Sequence, residues 1–524
     1  MNHPDSKKRL TLQRLSALSV APLLPLGAGS AHASTASSIH ALPRLALVIG
    51  NSRYAESPLK NPANDAKAIA ADLKQLGFAV DLQMDAKKAA MEQAILSFCG
   101  SLAKQKAVGL FYFAGHGLQL SWRNFLVPVD AVLDRADDVP SRTVNMSTLL
   151  DGLTRAGNPM NIVILDACRD NPFGTDLKSG KGLSQMDAPI GTLLAYATAP
   201  GNVASDGSGS NGLYTENLLR EMRAPEAKIE DIFKRVRLGV RRASHGVQIP
   251  WESTSLEDDF YFLPPAHIKK LSQEELDRQF AEEAAVWEKA KDAAEPAPIE
   301  SYLKSYPSGR FAELAQMRLD RILAKKGEKK IRIVSAAANP FSRGTAVTDL
   351  DYRVGDRFVY RTIDLLTKIE AANKGKLTVT EINDNEVIYN KGAYISDLLG
   401  NTIKWWDGTR YGPSQFYAGE YSLGRKWATR YPVTYTNGHK DAIEYDFKVV
   451  GKETITVPAG TFDCFRVEGT GWVMGIGLSL QVKYWVAPDK VRRVIALEQL
   501  NRNRWSRITT SNRYELVSFS QAAR

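Results

Sequence analysis

Apolar and polar positions alternate in three different ways along the chain, and each way predicts a different architecture. Between residues 41 and 265, unbroken apolar runs take turns with amphipathic stretches of helical period. "RLALVIGN", "AVGLFYFAG", "NIVILDA" and "GTLLAYAT" read as strands covered on both faces. "NPANDAKAIAADLKQLGF" sets Ala66, Ile69, Ala70 and Leu73 on one helical face and stops at Gly77. Further helices are predicted near 87–104, 146–156, 211–223 and 228–243. Strands alternating with helices predict an α/β domain, a mostly parallel sheet with helices on both faces.

Residues 266–330 change to helical period alone. "SQEELDRQFAEEAAVWEKAKDAA" opens on a Ser272–Glu275 capping box. "EPAP" breaks it, and two more helical stretches flank the turn Pro307-Ser308-Gly309. They resemble a tetratricopeptide pair. One pair cannot bury its own core, so it predicts a packed connector or a docking face for a protein partner. From 335 to 524 the period drops to two. In "LSLQVKYWV", Leu480, Val482, Tyr484 and Val486 alternate with Gln481, Lys483 and Trp485. Asn437-Gly438 and Pro458-Ala459-Gly460 punctuate these runs, which predicts a C-terminal antiparallel β domain: a sheet, a sandwich or a half-barrel. The pattern assigns that domain no chemistry beyond partner binding.

Composition adds less. The chain has 524 residues, with 44% hydrophobic and 24% charged residues, the usual range for a globular protein. A net charge of +10 comes without a dense Lys/Arg block, so nucleic acid is not an expected partner. The N-terminus is more telling. "KKRLTLQRL" is basic, "SALSVAPLLPLGAG" is apolar, and "AHA" precedes Ser34. This predicts an export signal over residues 1–33 and a periplasmic or secreted protein. The apolar run is too short, and too broken by Pro22 and Pro25, for a membrane span, and no later stretch qualifies. The three cysteines, Cys99, Cys168 and Cys464, are no disulfide framework and leave at least one candidate free thiol.

Two apolar strands end on chemistry. "AVGLFYFAGHG" finishes on Gly115-His116-Gly117 and "NIVILDAC" on Cys168. Ligands bind beyond the carboxyl ends of parallel strands, so both residues fall on the functional edge. A thiolate is the nucleophile, and an imidazole beside it removes the thiol proton and later protonates the leaving amine. The backbone N–H groups of Gly117 and Cys168 are the natural donors to a tetrahedral oxyanion. The glycines beside His116 leave room for a substrate backbone.

With "ALVIGNSRY", "NDA…LKQLGF", "YFAGHG", "DACRD" and "VQIPWESTSLEDDFYF", the N-terminal half resembles the caspase-like cysteine peptidases, in particular their metacaspase-like bacterial branch. The resemblance implies a caspase-like fold, and cleavage of polypeptides by Cys168 and His116. It implies no bound cofactor, with calcium dependence resting on the resemblance alone; Asp170, Asp176 and Asp187 lack ion-loop spacing. Caspases carry glutamine two residues before the nucleophile. Asp166 stands there instead, and Leu59 takes the place of a pocket arginine. Asp65 and Asp166 match acidic positions of metacaspases. Such a pair attracts a guanidinium or ammonium, which implies cleavage after Arg or Lys. The competing reading of Asp65 is a helix N-terminal acid favoured by the dipole. Asp206 is a third pocket candidate, and Arg169 a structural anchor. Lys178 and Lys181 mark a self-processing segment, against which stands an uncut loop. The rival for the whole domain is a scaffold with little or no activity, the β domain doing the binding.

Overall fold

The computed structural model describes residues 39–168, 183–199, 209–265, 272–328, 344–371 and 375–522. The predicted signal, Arg169, Asp170, Asp176, Lys178, Lys181 and Asp206 lie outside the described residues.

The first half forms eight strands: β1 (Arg44–Gly50), β2 (Phe78–Met84), β3 (Val108–Leu120), β4 (Arg123–Leu126), β5 (Val144–Asn145), β6 (Met160–Cys168), β7 (Thr192–Tyr196) and β8 (Trp251–Thr254). Six lie side by side in the order β2-β1-β3-β6-β7-β8, all parallel except β8. β4 and β5 extend the sheet from the far end of β3. Helices α1 (Pro62–Gln75), α2 (Lys88–Gln105), α3 (Met146–Ala156), α4 (Leu213–Met222) and α5 (Ile229–Ala243) cover it. The apolar runs are continuous because both faces are buried. Ala46, Val48, Ile162 and Ile164 pack under α1, α4 and α5. Leu47, Ile49, Val163 and Leu165 pack under α2 and α3.

Helices α6 (Gln273–Ala290), α7 (Pro296–Ser305) and α8 (Ala312–Lys325) follow. Trp287, Tyr302 and Phe311 form their centre, and Ser272 caps α6 by accepting from Glu275 N at 3.2 Å. The buried Tyr302 hydroxyl donates to Glu283 at 2.7 Å, so the three helices share a polar clamp inside an apolar core.

The last segment closes on itself. A strand pair, β9 (Thr345–Val347) and β16 (Glu420–Ser422), stands apart from a closed antiparallel barrel of twelve strands. The barrel consists of β10 (Arg357–Asp364), β11 (Gly375–Ile382), β12 (Glu386–Tyr389), β13 (Tyr394–Asp397), β14 (Thr402–Lys404), β15 (Arg410–Tyr411), β17 (Lys426–Thr434), β18 (Lys440–Val457), β19 (Gly460–Val473), β20 (Leu478–Val486), β21 (Ala496–Arg502) and β22 (Ile508–Ser520). β10 pairs with β22 to complete the ring, so it is neither a half-barrel nor a sandwich. Leu480, Val482, Tyr484 and Val486 alternate inward as their period requires. Cys464 is buried in the same wall. Among the described residues, no helix is long and apolar enough to cross a membrane.

Candidate active site

Two strand ends meet at one edge of the α/β sheet. β3 and β6 run parallel in unbroken register from Val108 opposite Met160 to Ala114 opposite Asp166 and His116 opposite Cys168. Adjacent strands lie about 4.8 Å apart, so the two backbones are side by side. β3 then continues past the edge and pairs antiparallel with β4.

His116 is held from two directions. Its Nε2 lies 2.7 Å from the Ser57 carbonyl oxygen. A carbonyl only accepts, so Nε2 donates, and the neutral ring keeps its lone pair on Nδ1. The Tyr54 hydroxyl accepts from His116 N at 2.9 Å and donates to Val127 O at 3.0 Å. Its ring stands 4.4 Å from the imidazole, tilted by 55°. Gly115 makes this possible: a Cβ there would meet the Tyr54 hydroxyl at 2.6 Å. A Cβ on Gly117 would meet Ala167 at 3.0 Å and Leu183 at 3.1 Å. On the side a Cβ would take, both glycines therefore pack against the protein's own side chains. The Val127 amide donates to His116 O on the β4 side of β3. Strand alternation then turns the Gly117 N–H toward the β6 side, where Cys168 ends its strand.

The two predicted acids converge. Asp65, in the first turn of α1, is buried and accepts from Gly212 N at 2.9 Å. It is thus both a helix N-terminal acid and a wall of the site. Asp166 on β6 accepts from Thr215 Oγ1 at 2.6 Å, and Tyr112 donates in turn to Thr215 at 2.7 Å. A Cβ on Gly212 would stand 3.2 Å from Asp65 Oδ2 and 3.8 Å from Asp166 Oδ2. A side chain at 212 would therefore fill the space on which both carboxylates open. Burial first, then the charges of Asp166 and Asp65, push the Tyr112 phenol well above its usual range. The same causes, burial and then Asp166, raise Tyr214. A cation entering here meets two carboxylates in a poorly solvated setting, where a charge-assisted contact is strong.

Leu59 packs into a small apolar cluster with Tyr54 and Leu118. Asp187 is turned from the site and accepts from Gly344 N at 2.6 Å and Thr345 Oγ1 at 3.0 Å. Cys99 and Cys464 are buried free thiols, and burial pushes the Cys464 thiol up to about 12. Sequence reasoning missed Tyr54, Ser57, Tyr112, Gly212 and Thr215. Tyr54 ends the quoted "ALVIGNSRY", but no local pattern marks its hydroxyl as the partner of His116 N.

Residues 43–261 match the family model described as caspase domain. The chain is 27% identical over 305 residues to mucosa-associated lymphoid tissue lymphoma translocation protein 1 of Homo sapiens, covering 56% of this chain and 32% of that protein. It is 28% identical over 262 residues to the homolog of Mus musculus, covering 48% of this chain and 30% of that protein. The chain thus spans about a third of the length of the curated relatives it matches.

Proposed function

From the premise that residues 43–261 carry a caspase-like peptidase domain, we propose that the protein is a cysteine endopeptidase cutting polypeptides after Arg or Lys. Cys168 attacks the scissile carbonyl as thiolate. His116 Nδ1 takes the thiol proton, its ring oriented through Nε2 by Ser57 O and its backbone held by Tyr54. The amides of Gly117 and Cys168 receive the oxyanion. His116 then returns the proton to the leaving amine, and water releases the acyl group. Asp65 and Asp166 hold the P1 cation. The observation carrying this reading is the pairing of His116 with Cys168 on neighbouring strands, beside two buried acids that converge on Gly212.

The basic, apolar and Ala-His-Ala stretches of residues 1–33 support export of this peptidase to the periplasm or beyond. Lys178 and Lys181 follow Cys168 in sequence, which supports self-processing by an enzyme of basic specificity.

The test is hydrolysis of fluorogenic peptides with Arg, Lys or Asp at P1, by wild type and Cys168→Ala. Expected is cleavage after Arg and Lys, abolished in the variant. Equal signals from the two proteins return the domain to the scaffold reading, and a preference for Asp overturns the pocket.

A further inference from the structure

In a meander of antiparallel strands, alternate connections fall at alternate ends. The connections after β10, β12, β14, β17, β19 and β21 therefore share one rim of the barrel. Large apolar side chains stand out from four of these tips. They are Leu366 and Ile369 on the first, Trp405 and Trp406 on the third, Met474 and Ile476 on the fifth, and Trp505 on the sixth. Their exposure runs from 39% at Met474 to 67% at Ile369, although the barrel interior beneath is closed and apolar.

Charge on the same tips is mixed, with cations in excess. Lys368, Lys391, Lys440, Arg504 and Arg507 join no ion pair among the described residues. The Arg504 guanidinium lies 4.1 Å over the Trp505 ring. The rim's carboxylates keep their charge but are fewer, and each is engaged by neighbouring groups. Asp364 accepts from the amides of Leu366 and Thr367, Asp407 from Thr409, and Asp441 from Ala442 and Gly475. Glu370 pairs with Arg361. The rest of the molecule engages the other end. Arg318 and Lys325 of α8 hold Asn385 and Asp384 after β11, and Lys426 at the start of β17 reaches Glu257.

We propose that this rim seats the protein on an anionic phospholipid bilayer. The apolar tips enter the interfacial layer, the lysines and arginines meet phosphate headgroups, and the α/β unit faces away. Tryptophans favour that layer, and unpaired basic side chains are drawn to anionic lipid. A protein interface gathers its apolar residues into one charge-depleted centre. Here they sit singly or in pairs on separate tips, with cations between them. The inference is independent of the peptidase reading.

The test is co-sedimentation of the full chain with vesicles of phosphatidylcholine alone, or of an equimolar mixture with phosphatidylglycerol. Expected is binding to the mixed vesicles, about tenfold weaker on phosphatidylcholine alone and weakened by salt. The triple variant Leu366→Ser, Ile476→Ser, Trp505→Ser and the double variant Arg504→Ser, Arg507→Ser should each lose about tenfold in binding with unchanged melting temperature. Wild type that stays in solution with mixed vesicles, or two folded variants that bind as wild type does, overturns the proposal.

Discussion

Replacing Asp166 by Asn removes one charge from the site and almost nothing else. The amide is isosteric, and its oxygen still accepts from Thr215 Oγ1, now 2.6 Å from the carboxylate. Asp166 is 9% exposed, so a P1 guanidinium there would meet it largely out of water. Removing one partner of a buried, hydrogen-bonded charge pair costs about 2–5 kcal/mol. Asp65 remains on the other side of Gly212, which places the expected loss at the lower end. About 2–3 kcal/mol corresponds to a fall of roughly 30- to 150-fold in kcat/KM for Arg and Lys substrates. A P1 aspartate should improve relative to them, because one repelling charge is gone. The amide keeps the hydrogen bond from Thr215, so the fold should hold its stability within about 1 kcal/mol. The assay is kcat/KM with peptides differing only at P1, alongside a denaturant melt of the same preparation. A folded Asp166→Asn enzyme that keeps its Arg and Lys rates within about twofold, while Cys168→Ala is dead, would refute the pocket and leave the dyad standing.

Tyr54→Phe strips the hydroxyl between His116 N and Val127 O; it should lower stability by about 1–3 kcal/mol and reduce kcat with little change in KM, read by melts and steady-state kinetics. Burial, opposed by Arg425 and Arg237, pushes the Glu420 carboxyl up to about 7 from 4.5, so its ionisation costs stability as pH rises through that window. Glu420→Gln should therefore stabilise by about 1–3 kcal/mol at pH 8 and show no gain below pH 4.5, measured by urea melts at both values. Burial raises the Cys99 and Cys464 thiols, so a thiol reagent on native protein should label Cys168 alone and reach all three in denaturant, as mass mapping will show.

The sheet and its edge were legible because each strand is one unbroken apolar run ending on a different kind of residue. "NIVILDAC" needs no partner to be read as β6, and the carboxyl-edge rule then places Cys168 and Asp166. Asp65 was legible as a helix-start acid, and as a pocket acid only through the family resemblance, because its approach to Asp166 depends on Gly212, 147 positions away, whose amide it accepts. Thr215 and Tyr112 gave no signal, since a threonine in a helix and a tyrosine in a strand are ordinary residues until a fold brings them together. Closure of the barrel was hidden for a related reason. β13, β14 and β15 have four, three and two residues, too few to show a period. The pairing of β10 with β22 joins Arg357 to Ser520, and no local pattern records such a register.

The barrel is joined to the rest mainly by charge. The apolar clusters stay largely within their own parts, and polar contacts cross between them. Arg425 pairs with Glu313 of α8, Arg430 with Asp277 of α6 and with Glu444, and Lys448 with Glu257. Arg241 of α5 holds Asp320 and Glu328. Arg–carboxylate pairs have demanding geometry, so they define one orientation more narrowly than a smooth apolar face would. That bears on the site through Asp187. The chain leaves β6 at Cys168 and is next described at Leu183, which is buried against the sheet. Ser184 N donates to Asn124, beside β3, and four residues after Leu183 Asp187 takes Gly344 N and Thr345 Oγ1 at the head of β9. Residues 183–187 are thus fixed to the sheet on one side and to the barrel's flanking strand pair on the other. A barrel held in one orientation by ion pairs therefore also fixes Asp187 and the residues just before it.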